Sequence, residues 1–161
     1  MPSKGSAAVA ASTTFRVHRF CATSEEEAKL KEAFHPFVMK CAEKYGVTEE
    51  QFEEAKEKRS VEGIDPCFVS CVLKESELFD STGKFDVEKT KEFMKSHLES
   101  EPAILFLETV CSECAKVNDE EVTDGDEGCD RAKLMWGCMG EVKEKVSIHS
   151  LKTLRRRFED P

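Results

Sequence analysis

Residues 67–74 read CFVSCVLK and place two cysteines, Cys67 and Cys71, four positions apart. Residues at that spacing on an α-helix lie one turn apart on the same face. Two thiols in this arrangement do not bridge each other easily, but each can reach a different neighbouring helix. Asp65 and Pro66 precede the stretch as a helix cap and a first helical residue. We therefore predict a helix here that is joined by sulfur to two others.

Eight cysteines are present in the chain, and most of them continue this ordered spacing. Six follow the order Cys41-x25-Cys67-x3-Cys71-x42-Cys114-x14-Cys129-x8-Cys138. An even number of cysteines at ordered spacing favours a disulfide framework, and hence an oxidising compartment. Spacing alone leaves the pairing of the six open. The two additional cysteines, Cys21 and Cys111, are predicted to form a fourth bridge, with free or intermolecular thiols as the alternative.

Length and charge limit the classes of protein to which the chain can belong. A chain of 161 residues predicts one domain. A net charge of −9 argues against a nucleic-acid partner. No apolar run approaches the roughly 20 residues of a membrane span. No nucleophile motif or acid–base pair marks a catalytic site, and the Cys111-x2-Cys114 pair lacks the second half of a zinc site. We expect no catalytic residues, no metal and no cofactor.

The amino-terminal segment differs in composition from the rest. Its first 23 residues contain basic side chains but no acid, a composition closer to an organellar transit peptide than to a secretion signal. We predict a disordered extension over 1–22, a helical domain over 23–148 and a basic tail over 149–161. The arginines at 155–157 are interpreted as a solvated tail, with contact to an anionic surface as the alternative.

From Thr23 onward, apolar residues recur every three or four positions, which predicts successive amphipathic helices. Pro36 is expected to bend or break the first helix near His35. Thr48 and Gln51 form a capping-box pattern before the second helix. The segment that begins at Glu101 is the most apolar and is placed at the centre of the bundle. The last helix is expected to run from about Cys129 to about Val146.

Six helices with this cysteine order resemble the insect odorant-binding protein family, which includes pheromone-binding and general odorant-binding proteins. The x3 and x8 gaps are the most specific features, and residues 67–74, 79–86 and 129–138 resemble the corresponding family segments. The likeness covers about Ser24 to Val146. It implies an all-α, compact bundle of about six helices around an apolar cavity. It also implies three interlocked disulfides that brace the bundle, Cys41–Cys71, Cys67–Cys129 and Cys114–Cys138.

The resemblance further implies a secreted, non-enzymatic carrier. We expect it to bind and transport small hydrophobic molecules, odorant- or pheromone-like, in aqueous extracellular fluid. Its partners would be a small lipophilic ligand, a membrane receptor at release and a second copy in a homodimer. Thr90 or Tyr45 would orient the ligand, and His35 and His97 are candidate pH sensors. The predicted lining residues of the cavity are Phe34, Phe37, Val38, Phe68, Val72, Phe93, Met94, Ile104, Leu107, Met135, Trp136 and Met139.

A second class remains open at this point. The acid-free amino terminus is compatible with a disulfide-bonded helical interaction protein of the mitochondrial intermembrane space. Such proteins typically carry paired C-x3-C or C-x9-C motifs, whereas this chain has one x3 gap and no x9 gap. A saposin-like protein is disfavoured because its cysteine pattern begins with C-x2-C in the first helix.

Overall fold

The computed structural model of the protein describes residues 22–58 and 63–159. Within these ranges the regular structure is helical, apart from one isolated bridge between Phe79 and Phe85. The predicted all-α class is therefore confirmed. The predicted disordered extension lies outside the described residues except for Ala22. The helices are α1 Ser24–Tyr45, α2 Glu49–Lys58, α3 Pro66–Glu75, α4 Val87–Lys95, α5 Glu101–Glu113 and α6 Cys129–Glu159, with short 3₁₀ helices at Cys114–Asn118 and Gly125–Glu127.

Capping residues set the starts of the helices where the sequence predicted them. The Asp65 side chain accepts a hydrogen bond from the Cys67 N–H at 2.8 Å, directly before α3. The Thr48 N–H donates to Gln51 Oε1 at 3.0 Å, and the Gln51 N–H donates back to Thr48 Oγ1 at 3.2 Å. These bonds satisfy backbone donors that have no partner inside a helix.

Helix α1 is continuous through Pro36 and ends at Gly46, whose φ of 64° is left-handed. Of the predicted bend or break near His35, the break is therefore wrong, and the bend stays a prediction. Proline removes one backbone donor and crowds the preceding turn. Both sides of this proline are held by long-range contacts: Glu26 bonds to the α4–α5 connection, and Cys41 is bridged to α3. These contacts fix the helix on either side of the local defect.

Helix α3 is covalently joined to two other helices. The structure contains the disulfides Cys41–Cys71, Cys67–Cys129 and Cys114–Cys138, with Cα–Cα distances of 5.9, 4.4 and 5.8 Å. The first ties α3 to α1, the second ties α3 to the start of α6, and the third ties the end of α5 to α6. This is the interlocked pairing that the family resemblance implies.

The fourth bridge expected between Cys21 and Cys111 is not formed at Cys111, which is a free thiol. Cys111 is 2% exposed and belongs to the buried core. Burial raises the pKa of this thiol, which disfavours the thiolate that forms disulfides. Cys21 itself lies outside the described residues.

Two buried clusters fill the interior. The larger one joins α5 and α6 with the α3–α4 connection, and the smaller one surrounds the Cys41–Cys71 bridge, with Val69 of α3 packing against both. Four buried residues of α5 belong to the larger cluster, which confirms the central place predicted for this helix. The larger cluster consists of Phe79, Phe85, Leu98, Ala103, Leu107, Val110, Cys111, Cys114, Val117, Ala132, Met135, Cys138, Val142 and Val146, and the smaller one of Cys41, Ala55, Ile64 and Phe68.

The loops at one end of the bundle meet backbone to backbone. Gly83 and Gly128 have φ of +76° and +78°, and a Cβ atom added to Gly83 would lie 2.7 Å from the Gly128 Cα. Ser70 Oγ donates to the Glu127 carbonyl oxygen at 2.7 Å beside them. The turn after α3 is thereby fixed against the loop that leads into α6.

Helix α6 is longer than predicted, because it continues past Val146 to Glu159 over 31 residues in all. Residues 147–159 contain neither Gly nor Pro and are rich in Leu, Lys and Arg, which are good helix formers. Residues 149–159 of the predicted tail are therefore helical.

A buried carboxylate fastens the start of α1 to the α4–α5 connection. Glu26 is 4% exposed, and its oxygens accept from the backbone N–H groups of Glu99 and Ser100, both at 2.6 Å, and from Ser100 Oγ at 2.8 Å. Burial opposes ionisation, but the hydrogen bonds from Ser100, Thr23 and Glu99 outweigh it and lower the pKa of Glu26 to about 2.

Replacing Glu26 by Gln should lower the free energy of unfolding by about 3 kcal/mol at pH 7, because an amide cannot accept all of these bonds. The folded pKa lies below the unfolded value of 4.5, so this stability is present above pH 4.5 and is lost as the pH falls toward about 2. Urea unfolding from pH 7 to pH 2 tests this. The difference between wild type and variant should shrink in acid, whereas exposed Glu25→Gln should change little. A difference that is constant with pH would contradict the prediction.

The Cys67–Cys129 bridge closes the longest loop of the three, with a sequence separation of 62. Replacing both cysteines by Ala should cost about 4 kcal/mol of unfolding free energy in the chain-entropy model. Non-reducing urea unfolding measures it, with Cys111→Ala as the control. That control removes a buried thiol but no crosslink and should cost about 1 kcal/mol. Equal losses in the two variants would show that the bridge adds nothing.

Candidate functional site

A group of aromatic rings connects α1 to α4. The Phe34 and Phe93 centroids are 5.2 Å apart in an edge-to-face arrangement, and the Phe34 and Phe37 centroids are 6.4 Å apart. The Phe93 ring also lies 4.9 Å from the His97 ring. All four side chains are only half-buried. Large apolar groups with this partial exposure are available to an added ligand.

Side chains rather than backbones bring α1 and α4 together. Helix α1 packs closely along α3, and α4 packs along α5, but the α1 and α4 backbones approach each other at few points within the described residues. The space between them is occupied by long side chains, which can change rotamer. We call this region the α1–α4 interface and define it by Phe34, Phe37, Thr90, Phe93 and Met94.

Thr90 is a buried polar residue on the face of α4 that also carries Phe93 and Met94. It is 6% exposed, and within the described residues its Oγ1 is buried without a hydrogen-bond partner. Phe93 and Met94 follow it by three and four residues, so the three share one face of α4. A buried hydroxyl without a partner costs about 1–3 kcal/mol. A ligand oxygen at this position would relieve that cost.

Except for Trp136, the remaining predicted lining residues belong to or pack against the two buried clusters. Phe68, Leu107 and Met135 are fully buried at 1%, 3% and 4% exposure and form part of the packed core. The others are half-buried. Val38 and Val72 pack against the smaller cluster, Met94, Ile104 and Met139 pack against the larger one, and Trp136 is half-buried on α6.

The structure thus brings together Phe34, Phe37 and Phe93, but it places Phe68 in a separate cluster. Whether any of the twelve line a ligand site stays a prediction. Sequence reasoning left out Leu30 and Val87, which are half-buried and pack against the larger cluster. Helix periodicity contained the signal, because Leu30 precedes Phe34 by four residues and Val87 precedes Thr90 by three.

Two open depressions lie elsewhere on the described surface. One, of about 630 Å³, follows the end of α1 into α2 and is lined by Met39, Lys40, Ala42, Glu43, Gly46, Val47 and Thr48. Another, of about 300 Å³, surrounds Glu26 at the start of α1. None of the predicted lining residues borders either one. The enclosed cavity implied by the resemblance stays a prediction.

Neither the cluster of possible metal ligands nor the two histidines predicted as pH sensors gives evidence of a functional site. Cys67, Glu127 and Cys129 lie close enough for metal ligation, but both sulfurs belong to a disulfide and are poor ligands. His97 Nδ1 lies 2.8 Å from the Phe93 carbonyl oxygen and 2.9 Å from Ser96 Oγ, so its ring is held by its own helix. His35 is exposed. Neither histidine is shown to act as a pH sensor.

Comparison with known proteins identifies the fold that these contacts build. A model of the PBP/GOBP family matches residues 23–142. The chain belongs to the PBP/GOBP family. General odorant-binding protein 57c of Drosophila melanogaster is 26% identical over 117 residues, which span 68% of this chain and 71% of that protein. Both results confirm the resemblance found in the cysteine pattern.

A solved structure supports the fold of this PBP/GOBP chain. Odorant-binding protein dmelOBP28a from Drosophila melanogaster superposes with a TM-score of 0.53 at 23% identity, covering 76% of this chain and 97% of that one. At this identity the likeness concerns the fold. Odorant-binding proteins are a family of secreted binding proteins, and membership of it points to small hydrophobic molecules as the ligands. Among the described helices, none has the length and apolarity needed to cross a bilayer.

Replacing Thr90 by Val should raise the free energy of unfolding of the ligand-free PBP/GOBP protein by about 1 kcal/mol, because it removes a buried hydroxyl that has no partner. Thermal or urea unfolding of the delipidated protein measures the change. Thr109→Val is the matched control, since the Thr109 hydroxyl donates to the Leu105 carbonyl oxygen at 2.7 Å. Destabilisation by Thr90→Val would show that the hydroxyl is satisfied in solution.

Proposed function

We propose that this protein carries a small odorant- or pheromone-like molecule through aqueous extracellular fluid, holding it at the α1–α4 interface. The observation that supports this site is the buried, unpartnered Thr90 hydroxyl beside half-buried Phe93 and Met94. A carrier needs apolar surface that is accessible to the ligand and a polar group that fixes its orientation. The α1–α4 interface has both.

The distribution of disulfides favours α4 as the helix that moves when a ligand enters the α1–α4 interface. The disulfides join α1, α3, α6 and the end of α5, whereas residues 87–95 of α4 contain no cysteine. Helix α4 is held by noncovalent packing and by its connections. A small displacement of α4, with rotation of Phe34 and Phe93, would open space between two helices whose backbones do not pack closely.

The chemistry of the α1–α4 interface defines a ligand class. Phenylalanine rings and Met94 favour an aliphatic or terpenoid body, and methionine adapts to more than one shape. Binding would gain ~25 cal/mol for each Å² of apolar ligand surface removed from water. Thr90 Oγ1 both donates and accepts hydrogen bonds. Alcohols, aldehydes and esters with one oxygen near the end of a long apolar chain fit this arrangement.

Release at a membrane or receptor would follow from the same displacement of α4, which reopens the α1–α4 interface. The receptor and the homodimer remain predictions. Family membership favours the secreted carrier over an interaction protein of the mitochondrial intermembrane space. The carrier proposal requires a saturable site for lipophilic molecules, and the interaction protein does not.

Displacement of a fluorescent apolar dye by matched ligands tests the site. A long-chain alcohol should compete better than the alkane of equal length, and Thr90→Val should weaken the alcohol about tenfold while leaving the alkane unchanged, because one hydrogen bond is lost. Phe93→Ala should weaken both ligands. Thr109→Val is the control and should change neither.

Dye displacement distinguishes a failure of the carrier function from a failure of the site assignment. If no lipophile displaces the dye at micromolar concentration, the carrier function is wrong. If alcohols displace it but the Thr90 and Phe93 variants bind like wild type, the carrier stands and the site lies elsewhere. The single tryptophan, Trp136, provides an independent signal, since its half-buried ring on α6 is sensitive to local change.

A further inference from the structure

Helix α6 extends well past the buried core of the described residues. Val146 is 6% exposed and is the last α6 residue that the structure describes as part of that core. The helix then continues through Glu159, a length of about 20 Å at 1.5 Å per residue. We call residues 147–159 the α6 arm. Ile148, near its start, is 53% exposed.

The apolar positions of the α6 arm do not continue the face that α6 buries in the body. The buried face passes through Met135, Cys138, Val142 and Val146. At about 100° per residue this face continues at positions 149, 153 and 157, where the sequence has His, Thr and Arg. The apolar residues of the arm are Ile148, Leu151, Leu154 and Phe158. By helix geometry these four positions share a sector of about 120°, on the side of the helix opposite to positions 149 and 153.

Basic residues border this apolar sector. Residues 146–158 contain Lys152, Arg155, Arg156 and Arg157 and no acid. Lys152 and Arg156 are exposed. On the helix, position 155 lies within the apolar sector, position 152 lies just beyond one of its edges, and position 157 lies between the other edge and the face that continues the buried core. Helices that lie in a membrane surface have this pattern, with apolar residues facing the acyl chains and long basic side chains reaching the head groups.

We propose that the α6 arm docks the protein parallel to the surface of an anionic lipid membrane. The rest of the protein is acidic, so the net charge of −9 would repel such a surface. The arm reverses that sign locally, and its sequence places apolar residues on one side of the helix, of which Ile148 is 53% exposed. A second arm would fit poorly as the partner, because packing two apolar faces together would oppose like charges at their edges. The proposal does not depend on ligand binding.

Cosedimentation of the full chain with vesicles tests the docking. Vesicles of phosphatidylcholine with about 30% phosphatidylserine should bind the protein at least about tenfold better than phosphatidylcholine alone, and salt should weaken the binding. The variant Arg155→Gln/Arg156→Gln/Arg157→Gln should lose that preference. Ile148→Ser should also weaken binding, although its charge is unchanged.

A matched control removes the same number of charges from the body. Lys84→Gln/Lys116→Gln/Lys133→Gln replaces three exposed lysines outside the arm, and it should bind anionic vesicles no worse than wild type. Circular dichroism and unfolding curves establish that each variant is folded. If the two triple variants lose vesicle binding equally, the binding reflects general electrostatics and the proposal is overturned. Wild-type binding that does not depend on phosphatidylserine would also overturn it. So would light scattering that shows self-association through the arm in a protein that does not bind vesicles.

Discussion

Helix α3 carries two cysteines one turn apart, and each is bridged to a different helix. Cys71 reaches Cys41 in α1, while Cys67 reaches Cys129 at the start of α6. These two bonds bring together elements from the beginning, middle and end of the chain, and Phe68 between them is 1% exposed. Because the crosslinks restrict the unfolded chain, the native state depends less on close packing everywhere. Helices without a crosslink can then be loosely packed.

The contrast between α3 and α4 follows from this distribution. Helix α3 packs along both α1 and α6, whereas α4 packs along α5 and meets α1 chiefly through the rings of Phe34 and Phe93. Glu26 prevents the two helices from separating completely, since it holds the α4–α5 connection at one end of α1. The α1–α4 interface is therefore fixed at one end and adaptable along its length. That is the mechanical requirement for admitting an apolar molecule without unfolding.

Sequence predicted what is local and what the cysteine pattern encodes. Asp65 and Thr48 were found because a cap bonds within three residues of itself, and the disulfide pairing followed from the family resemblance. Nothing in the sequence indicated that Glu26 would be buried, because its partners Glu99 and Ser100 lie more than 70 residues away. Pro36 was misread because the contacts that hold α1 on both sides are tertiary. No residue pattern showed which apolar side chains would be core and which half-exposed, since that depends on helix orientation.

A buried charged side chain also explains why the acidic loop before α6, residues 119–127, is ordered. Arg131 is 4% exposed, and its Nε donates to the Val117 carbonyl oxygen at 3.0 Å, with Nη2 within 3.4 Å of the Glu120 carbonyl oxygen. A buried guanidinium is costly unless its donors are satisfied, so these carbonyl groups must stay in place. The same residue lies in the first turn of the helix whose last part is the α6 arm. The loop over residues 119–127 contains six acidic residues and is thus fixed at one end of α6, while the sequence places four basic residues toward the other end. In the proposed docking, this separation would let a protein of net negative charge approach an anionic surface with its basic end.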